Sequence, residues 1–391
     1  MSFKQMLTLK LESDRMIYLD LLRIASSYMI IVYHFQQQLA VGQAAGALRA
    51  RLEGFMLAVD LFFFISGFVI ASVYTGRIAG FADFREFMVK RIARLVPLHW
   101  ATFAVFAVFG ILYAAGLRSS NHPEIYAWPC AIPNALLLHA FGFCSSLTFN
   151  YVSWSISAEM GMYLLFPLLA VIVARRWLAL PLALAVIAVL TWVSERSGWS
   201  WLEWTFDGGV LRALPTFLLG MIAFQHRARL GRLPWAAGWL GLACLAFLAG
   251  CMMAWPKLWL LPIVYAVALL GIAASEQPSS RWARRVAPLG QLTYSLYMLH
   301  PLVQGVVLTG VGVAALKLTG MSMNLFVLAV AVLMLPIAWA SLVLFERPAR
   351  RWLTRTLSVR RVPSRSPAPS ELQSDTRSRP EPAMFTPDSR W

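Results

Sequence analysis

The chain has 391 residues, of which 59% are hydrophobic and only 13% are charged, and its formal net charge is +16. An ordinary soluble domain is about 25% charged, so this composition argues against a soluble protein. The positive charge does not indicate nucleic-acid binding, because the arginines lie in short loops between apolar blocks and in the C-terminal tail. The positive-inside rule places them there in membrane proteins.

The apolar blocks are about as long as the ~20 residues that a helix needs to cross a bilayer. They do not alternate with polar residues as the strands of a membrane barrel do. We therefore predict an all-α polytopic integral membrane protein, a helical bundle with about ten transmembrane helices. The predicted spans are residues 16–38, 54–76, 97–117, 151–174, 178–194, 210–226, 234–253, 257–274, 288–313 and 324–346.

The loops between these spans fall into two sets, and one set is richer in Arg and Lys. The richer set includes residues 77–94 and 227–232, and both chain termini join it. The positive-inside rule therefore predicts that both termini are cytoplasmic. Asp20 and Arg23 interrupt the first apolar stretch, so we expect a retained membrane helix rather than a cleaved signal peptide.

The first span carries a stripe of polar side chains. A helix turns about 100° per residue, which places His34 within about 20° of Arg23, Ser27 within about 40° and Asp20 within about 60°. Charged side chains at membrane depth are costly and usually mark function. Asp20, Arg23 and His34 are therefore candidate catalytic residues. The alternative is an Asp20–Arg23 pair that only locks the helix, with His34 hydrogen-bonded inside.

Two further spans carry acidic residues. Glu159 lies about two turns into the fourth span, at a depth predicted to be close to that of His34. A carboxylate beside a histidine can orient the ring, so Glu159 is a candidate catalytic residue. Pairing with an arginine for packing is the alternative. Asp60 opens the second span. The small residues Ser66 and Gly67 follow it and favour close helix packing, so packing rather than catalysis is the preferred interpretation of this motif.

A basic run at residues 84–97 is predicted on the cytoplasmic side, and Arg91 and Arg94 share one helical face there. Arginine forks suit phosphate oxygens. Such a run also anchors a membrane protein by the positive-inside rule, and the run alone favours that interpretation. Lipid headgroups and a phosphorylated cosubstrate both remain open as its partners.

The longest non-cytoplasmic loop is predicted at residues 118–150, and its segment Ala131–Phe143 is apolar enough to lie on or dip into the membrane. Cys130 and Cys144 could form a disulfide in an oxidising compartment or remain free thiols. No C-x-x-C motif or His/Cys cluster suggests a metal. We predict a transmembrane domain over residues 1–355 and a disordered Arg/Pro/Ser-rich cytoplasmic tail over 356–391.

Six short motifs occur in order along residues 19–348. They are Leu19-Asp20-Leu21-Leu22-Arg23 with His34-Phe35, Asp60-Leu61-Phe62-Phe63 leading to Ser66-Gly67-Phe68, Arg91-x-x-Arg94-x-x-Pro97, Ser153-Trp154-Ser155-Ile156 leading to Glu159, Leu292-Thr293-Tyr294-Ser295-Leu296-Tyr297-Met298-Leu299-His300, and Phe345-Glu346-Arg347-Pro348. Together they resemble the acyltransferase 3 family of bacterial integral membrane O-acyltransferases. Lys90 stands where relatives often carry a second arginine, which keeps the charge.

The resemblance implies that an acyl group, commonly acetyl, moves from cytoplasmic acyl-CoA to a hydroxyl, often of a carbohydrate such as an O-antigen or exopolysaccharide. The expected location is the bacterial cytoplasmic (inner) membrane. Arg91 and Arg94, with Lys90, would hold the anionic CoA end, and the polar stripe with Arg23 and Ser27 would line the path of the thioester.

In the same resemblance, His34 would act as general base on the acceptor hydroxyl or would carry the acyl group transiently. Glu159 would tune the reactivity of the His34 imidazole or orient its ring. His300 matches a family feature, but it lies in a segment where packing is an equal explanation.

Two other classes of function remain. A proton-coupled membrane transporter could use His34 and Glu159 as its relay, although no repeated half with paired broken helices is visible, as carriers often show. A non-catalytic partner of a glycan export system is the other alternative.

Overall fold

The computed structural model describes Leu9 and residues 16–117 and 122–357, and every regular element in this part of the chain is helical. The predicted all-α class is therefore confirmed. The α-helices are α1 (Ile17–Phe35), α2 (Ala45–Leu52), α3 (Ala58–Tyr74), α4 (Phe81–Ala114), α5 (Ala131–Ala135), α6 (Trp154–Ala174), α7 (Arg176–Ser197), α8 (Gly209–Leu230), α9 (Ala236–Met252), α10 (Lys257–Ser275), α11 (Arg281–Val286), α12 (Thr293–Val303), α13 (Gly320–Ser341) and α14 (Arg347–Leu357). Two π-helical stretches follow α12 and α13, at Gln304–Ala315 and Leu342–Glu346.

Seven helical stretches among the described residues are long and apolar enough to cross a membrane, which makes the chain a multi-pass membrane protein. They are Gly42–Tyr74, Phe81–Ala114, Tyr151–Ala174, Arg176–Ser197, Lys257–Ser275, Arg281–Ala315 and Gly320–Leu357. The other three predicted spans are also helices, namely α1, α8 and the shorter α9. The count of about ten spans and the cytoplasmic position of both termini stay predictions.

Helix α4 joins the predicted basic run and the following span into one element. It has 34 residues and contains Pro97, and at 1.5 Å per residue it is about 51 Å long. Because a bilayer core is roughly 30 Å thick, the helix is long enough to extend well beyond the membrane. Arg91 and Arg94 therefore lie on the same continuous helix as the third span.

Helices α3 and α8 cross in close backbone contact. A Cβ atom on Gly67 would lie 2.1 Å from the Phe217 carbonyl oxygen, and a Cβ atom on Gly220 would lie 2.0 Å from the Phe64 carbonyl oxygen. No residue with a Cβ atom fits at either distance, so the crossing requires glycine on both helices. The expectation of close packing at the small residues of the second span is confirmed for Gly67.

The loop between α4 and α6 is fastened to the bundle covalently and by hydrogen bonds. Cys130 and Cys144 form a disulfide, which resolves the pairing that the sequence leaves open. The amide of Asn150, which is buried, donates to the Met298 carbonyl oxygen over 3.0 Å and so connects the loop to α12. Ile132, in the segment predicted to lie on or dip into the membrane, is 72% exposed.

Helix α14 ends the described part of the chain at Leu357. It packs beside α4, where Arg85 donates to the Leu357 carbonyl oxygen over 3.5 Å. The disordered tail is predicted for residues 356–391; its first two residues, Thr356 and Leu357, are the last of α14. The rest of the tail lies outside the described residues, so the division into two domains stays a prediction.

Candidate functional site

The polar stripe on α1 begins with an ion pair. Arg23 Nη1 lies 3.0 Å from Asp20 Oδ1, and the two side chains are 21% and 15% exposed. One turn later, the buried hydroxyl of Ser27 donates to the Arg23 carbonyl oxygen over 3.1 Å. Ser27 thus hydrogen-bonds within its own helix, a common arrangement for serine in membrane helices.

His34, at the other end of the stripe, is half-buried among rings. Its imidazole stacks on that of His300 with 5.0 Å between the ring centroids, and the rings of Tyr33 and Tyr151 lie at 5.2 and 5.1 Å. The Gln304 amide donates to the His34 carbonyl oxygen over 2.9 Å. Contacts from α12 and from the start of the fourth predicted span therefore position the His34 ring.

His300 is fully buried and offers a polar atom without a partner. Its Nδ1 lies 3.3 Å from the Leu296 carbonyl oxygen, and its Nε2 has no hydrogen-bond partner among the described residues. The sequence left its role open between packing and function. The structure places it in direct ring contact with His34, so it belongs to the same cluster.

A cavity of about 830 Å³, counted with its open mouth, adjoins this cluster at Tyr297, which lines the cavity and contacts the His300 ring. Ten of its lining residues are polar or charged. They are Arg23, Ser66, Arg91, Arg94, Ser155, Glu159, Tyr163, Thr293, Tyr294 and Tyr297. The structure therefore brings four of the predicted site residues, Arg23, Arg91, Arg94 and Glu159, to one cavity.

Glu159 is held in this cavity by two hydroxyl groups. Its Oε1 accepts from Ser66 Oγ and from Tyr163 Oη, each over 2.5 Å. The sequence predicted a position beside His34 from the similar depth of the two residues. Among the described residues its hydrogen-bond partners are instead the two hydroxyls, because equal depth does not determine which neighbouring helix a side chain faces.

The three basic residues of the α4 run have different surroundings. Arg91 donates to Tyr74 Oη over 3.1 Å, and its guanidinium carbon lies 5.7 Å from the Tyr163 ring centroid. Arg94 is exposed at the cavity wall. Lys90 pairs with Glu86 over 2.7 Å, with the side chains 43% and 42% exposed, and it does not line the cavity. Position 90 is about 100° from Arg91 around the helix but only about 40° from Arg94, so helix geometry alone does not separate Lys90 from the two arginines.

Tyr297 connects the cavity with the histidines. It lines the cavity, and its ring centroid lies 5.9 Å from that of His300. Its hydroxyl donates to the Val152 carbonyl oxygen over 3.0 Å and accepts from Ser155 over 2.8 Å. From the cavity, His34 is thus reached through two ring contacts.

A buried ion pair on α3 and α8 was not foreseen. Asp60 and Arg212 are both 0% exposed, and their two hydrogen bonds measure 3.2 and 2.6 Å. The Arg212 guanidinium carbon lies 5.2 Å from the Trp154 ring centroid, and its Nη1 has no partner among the described residues. The available signal was an arginine inside an apolar segment, which calls for a buried acid.

The described residues contain no group of three or more His, Cys, Asp or Glu side chains that could hold a metal ion.

Comparisons with known proteins agree with a membrane-bound transferase. A family model described as an acyltransferase domain, that of the acyltransferase 3 family, matches residues 16–343. The acyltransferase MdmB of Streptomyces mycarofaciens is 31% identical over 163 residues, which are 39% of this chain and 40% of that protein. The match thus spans less than half of that relative. No solved structure matches the chain.

Proposed function

The chain belongs to the acyltransferase 3 family, and on that premise we propose that it transfers an acyl group from cytoplasmic acyl-CoA to a hydroxyl of a carbohydrate acceptor. The family makes it a membrane acyltransferase. Acetyl-CoA as the donor and a membrane-associated glycan, such as an O-antigen or exopolysaccharide, as the acceptor belong to the proposal.

One observation carries the proposal: a single cavity runs from basic residues towards the histidine cluster. Arg23 and Arg94 line it together with Glu159 and Tyr297, and Tyr297 contacts His300, which contacts His34. Along α1, Arg23 and His34 are about 16 Å apart. Such a cavity suits a long thin donor whose anionic end stays with the arginines while its thioester approaches His34.

In the proposed reaction, a neutral His34 removes the proton from the acceptor hydroxyl. The oxygen attacks the thioester carbonyl carbon, a C–O bond forms, and the C–S bond breaks as the tetrahedral intermediate collapses. The CoA thiolate then takes the proton from the His34 imidazolium, which leaves the ester and free CoA. Stacking on His300 and the contact with Tyr151 would hold the His34 ring in place.

Glu159 has a different role in this proposal from the one expected from the sequence. Its hydrogen bonds to Ser66 and Tyr163 connect the helices that form the cavity wall. Tyr163 also lies below the Arg91 guanidinium. We therefore assign Glu159 to positioning Tyr163 and Arg91 for the donor rather than to orienting His34.

The acceptor is proposed to arrive from the non-cytoplasmic side of the bacterial cytoplasmic membrane. The disulfide between Cys130 and Cys144 supports an oxidising environment for the loop between α4 and α6. His34 lies at the end of α1 that leads away from the predicted cytoplasmic terminus. Donor and acceptor would then meet at the histidine cluster from opposite faces.

Binding of acetyl-CoA to the purified protein in detergent tests the proposal. The wild type is compared with His34→Ala, with the double variant Arg91→Ala/Arg94→Ala, and with Arg85→Ala as a matched control on the same helix. We expect saturable binding that the double variant loses and that His34→Ala and Arg85→Ala keep. Transfer to a glycan acceptor should be abolished in His34→Ala.

Two results would contradict the proposal. Absence of binding by folded wild-type protein at millimolar acetyl-CoA would favour a carrier or an export partner, and counterflow of a labelled solute in liposomes would identify the carrier. Retained transfer by His34→Ala would remove this residue from the mechanism.

A further inference from the structure

A second cavity, of about 730 Å³ counted with its open mouth, lies among α1, α3, α9 and α10. None of the described residues that line it is charged, and Ser26 is the one that carries a hydroxyl group. The others contribute hydrocarbon side chains, the thioether of Met29 or the thiol of Cys244. This apolar cavity therefore offers almost no partner to a polar ligand or to water.

The apolar cavity lies halfway along three of these helices. Ser26 is the central residue of α1, and Cys244 is the central residue of α9. Val264 and Val267 flank the centre of α10, which is one of the helices long and apolar enough to cross a membrane. The cavity is therefore near the middle of the bilayer, where the surroundings are hydrocarbon without water.

The apolar cavity opens towards the bilayer and not towards the first cavity. Ala25 of α1 and Leu248 of α9 both line it, and both are exposed. Among the described residues, the two cavities have no lining residue in common. A ligand of the apolar cavity would therefore enter from the membrane between α1 and α9, separately from the proposed path of the donor.

The apolar cavity and the polar stripe lie on opposite faces of α1. The cavity-lining residues of this helix have the i, i+3, i+4, i+7 spacing of a single helical face, and they are Leu22, Ala25, Ser26 and Met29. At about 100° per residue, Ala25 is about 160° from Arg23 and about 180° from His34. Whatever fills the cavity therefore packs against the back of the helix that carries the candidate catalytic residues.

We propose that the apolar cavity binds one fatty acyl chain of a bilayer phospholipid, and that this chain supports α1 from behind. An empty space at this depth leaves the side chains around it without contacts on one side, and a lipid chain restores those contacts. Because lipid tails are as apolar as leucine side chains, the chain is held by its fit and not by exclusion from water. Phospholipid surrounds the opening, so mass action favours its chains over those of rarer lipids. The inference does not depend on the donor or the acceptor of the proposed function.

A phospholipid with a photoreactive diazirine at the end of one chain tests the proposal, because the chain end reaches the middle of the bilayer. The full-length protein is irradiated with this lipid in nanodiscs of phosphatidylethanolamine and phosphatidylglycerol, and the adducts are located by peptide mass spectrometry. Cys244 is the reporter inside the cavity. Its neighbour Leu245 is exposed and does not line the cavity, so it reports general contact with the bilayer, and Cys251 of the same helix is buried.

We expect adducts at Cys244 and Leu245 of the wild type and none at Cys251. Ala25→Phe places a ring in the opening and should lower the Cys244 adduct on the order of tenfold, if about a tenth of the protein still admits a chain. The Leu245 adduct should stay unchanged, which also shows that the variant is folded and inserted. The smaller filling in Ala25→Leu should give an intermediate loss, and Ala25→Ser, which nearly keeps the size, should resemble the wild type.

Thermal unfolding reports the support of α1. The protein is purified in a steroid-based detergent, which has no flexible chain to enter the cavity, and phosphatidylglycerol is then added. The apparent Tm of the wild type should rise. That of Ala25→Phe should rise less, because the ring already fills part of the space that the chain would occupy.

Four outcomes would overturn the inference. A wild type labelled at Leu245 but not at Cys244 would mean that no lipid chain enters the cavity. Equal Cys244 adducts in the wild type and in Ala25→Phe would mean that this thiol meets only the general bilayer. Suppression of the Cys244 adduct by a small molar fraction of a polyprenyl phosphate, with no effect of the same fraction of unlabelled phospholipid, would assign the cavity to a polyprenyl chain instead. An equal rise in Tm for the wild type and Ala25→Phe would remove the supporting role.

Discussion

Neutralising one member of the buried pair between Asp60 and Arg212 should destabilise the protein strongly. Asp60→Asn keeps the shape of the side chain but removes the countercharge of a guanidinium that is 0% exposed. An arginine is not expected to lose its proton in a protein. The variant therefore leaves an uncompensated charge between α3 and α8.

The magnitude follows from the geometry of the pair. Breaking a buried ion pair by removing one partner costs about 3–5 kcal/mol. The asparagine can accept only one of the two hydrogen bonds of 3.2 and 2.6 Å, because its NH2 group cannot accept the other, and Arg212 Nη1 already lacks a partner among the described residues. At roughly 2 °C per kcal/mol for a large domain, we expect the apparent Tm of Asp60→Asn to fall by about 6–10 °C.

The assay is thermal unfolding of the detergent-purified protein, followed by the loss of monodisperse material in size-exclusion chromatography. The double variant Asp60→Leu/Arg212→Met removes both charges and keeps the volume approximately, so it should regain most of the loss. Glu86→Gln is the control, because it breaks an ion pair whose side chains are about 42–43% exposed, and such helix-surface pairs contribute about 0.3–0.5 kcal/mol.

Two results would refute this reasoning. One is an Asp60→Asn variant whose Tm is no lower than that of Glu86→Gln, which would mean that water reaches the pair. The other is a double variant less stable than Asp60→Asn. That result would mean that the ion pair adds net stability, whereas we expect each charge only to offset the cost of burying the other.

Three other predictions concern the cavity wall and the loop between α4 and α6. Tyr163→Phe removes a hydrogen bond to the Glu159 carboxylate and should lower the unfolding free energy by about 1.5–3 kcal/mol; an unchanged Tm would contradict it. Protein that is denatured without reductant should show two free thiols, because Cys130 and Cys144 are bonded and the other two cysteines are free; four free thiols would contradict the pairing. Burial and, to a lesser extent, the nearby imidazole of His99 on α4 lower the pKa of His139 to about 3. Below pH ~6.5 the unfolded chain therefore binds a proton at this residue that the folded chain does not bind. Stability should therefore fall by about 2 kcal/mol between pH 6.5 and 5, and His139→Gln should reduce this fall in Tm measurements; an identical pH profile would exclude His139.

Local periodicity predicted the parts of the site that lie on single helices. The 100° rotation per residue placed Asp20 beside Arg23, and the structure pairs them over 3.0 Å. The same rule placed Arg91 and Arg94 on one face, and both line the first cavity. Long apolar blocks likewise predicted the helices, because a membrane helix forms all its backbone hydrogen bonds within one segment.

Contacts between distant segments were beyond this reasoning. Asp60 and Arg212 are 152 positions apart, and no pattern in either segment specifies the other as its partner. The hydrogen bonds of Glu159 to Ser66 and Tyr163 could not be foreseen for a related reason: depth in the membrane follows from counting residues, but the direction in which a helix faces depends on its neighbours. The position of Glu159 beside His34 stays a prediction. Lys90 was grouped with Arg91 and Arg94 because the resemblance places a second arginine at its position, but its ammonium pairs with Glu86 and it does not line the cavity.

The glycine crossing of α3 and α8 has a mechanical consequence. Gly67 and Gly220 bring backbone against backbone, so neither helix can slide or roll without a collision, and the pair behaves as one rigid body. Ser66 sits on this body and hydrogen-bonds to Glu159 of α6. We therefore expect any widening of the cavity to come from movement of the surrounding helices, while the α3–α8 pair stays fixed.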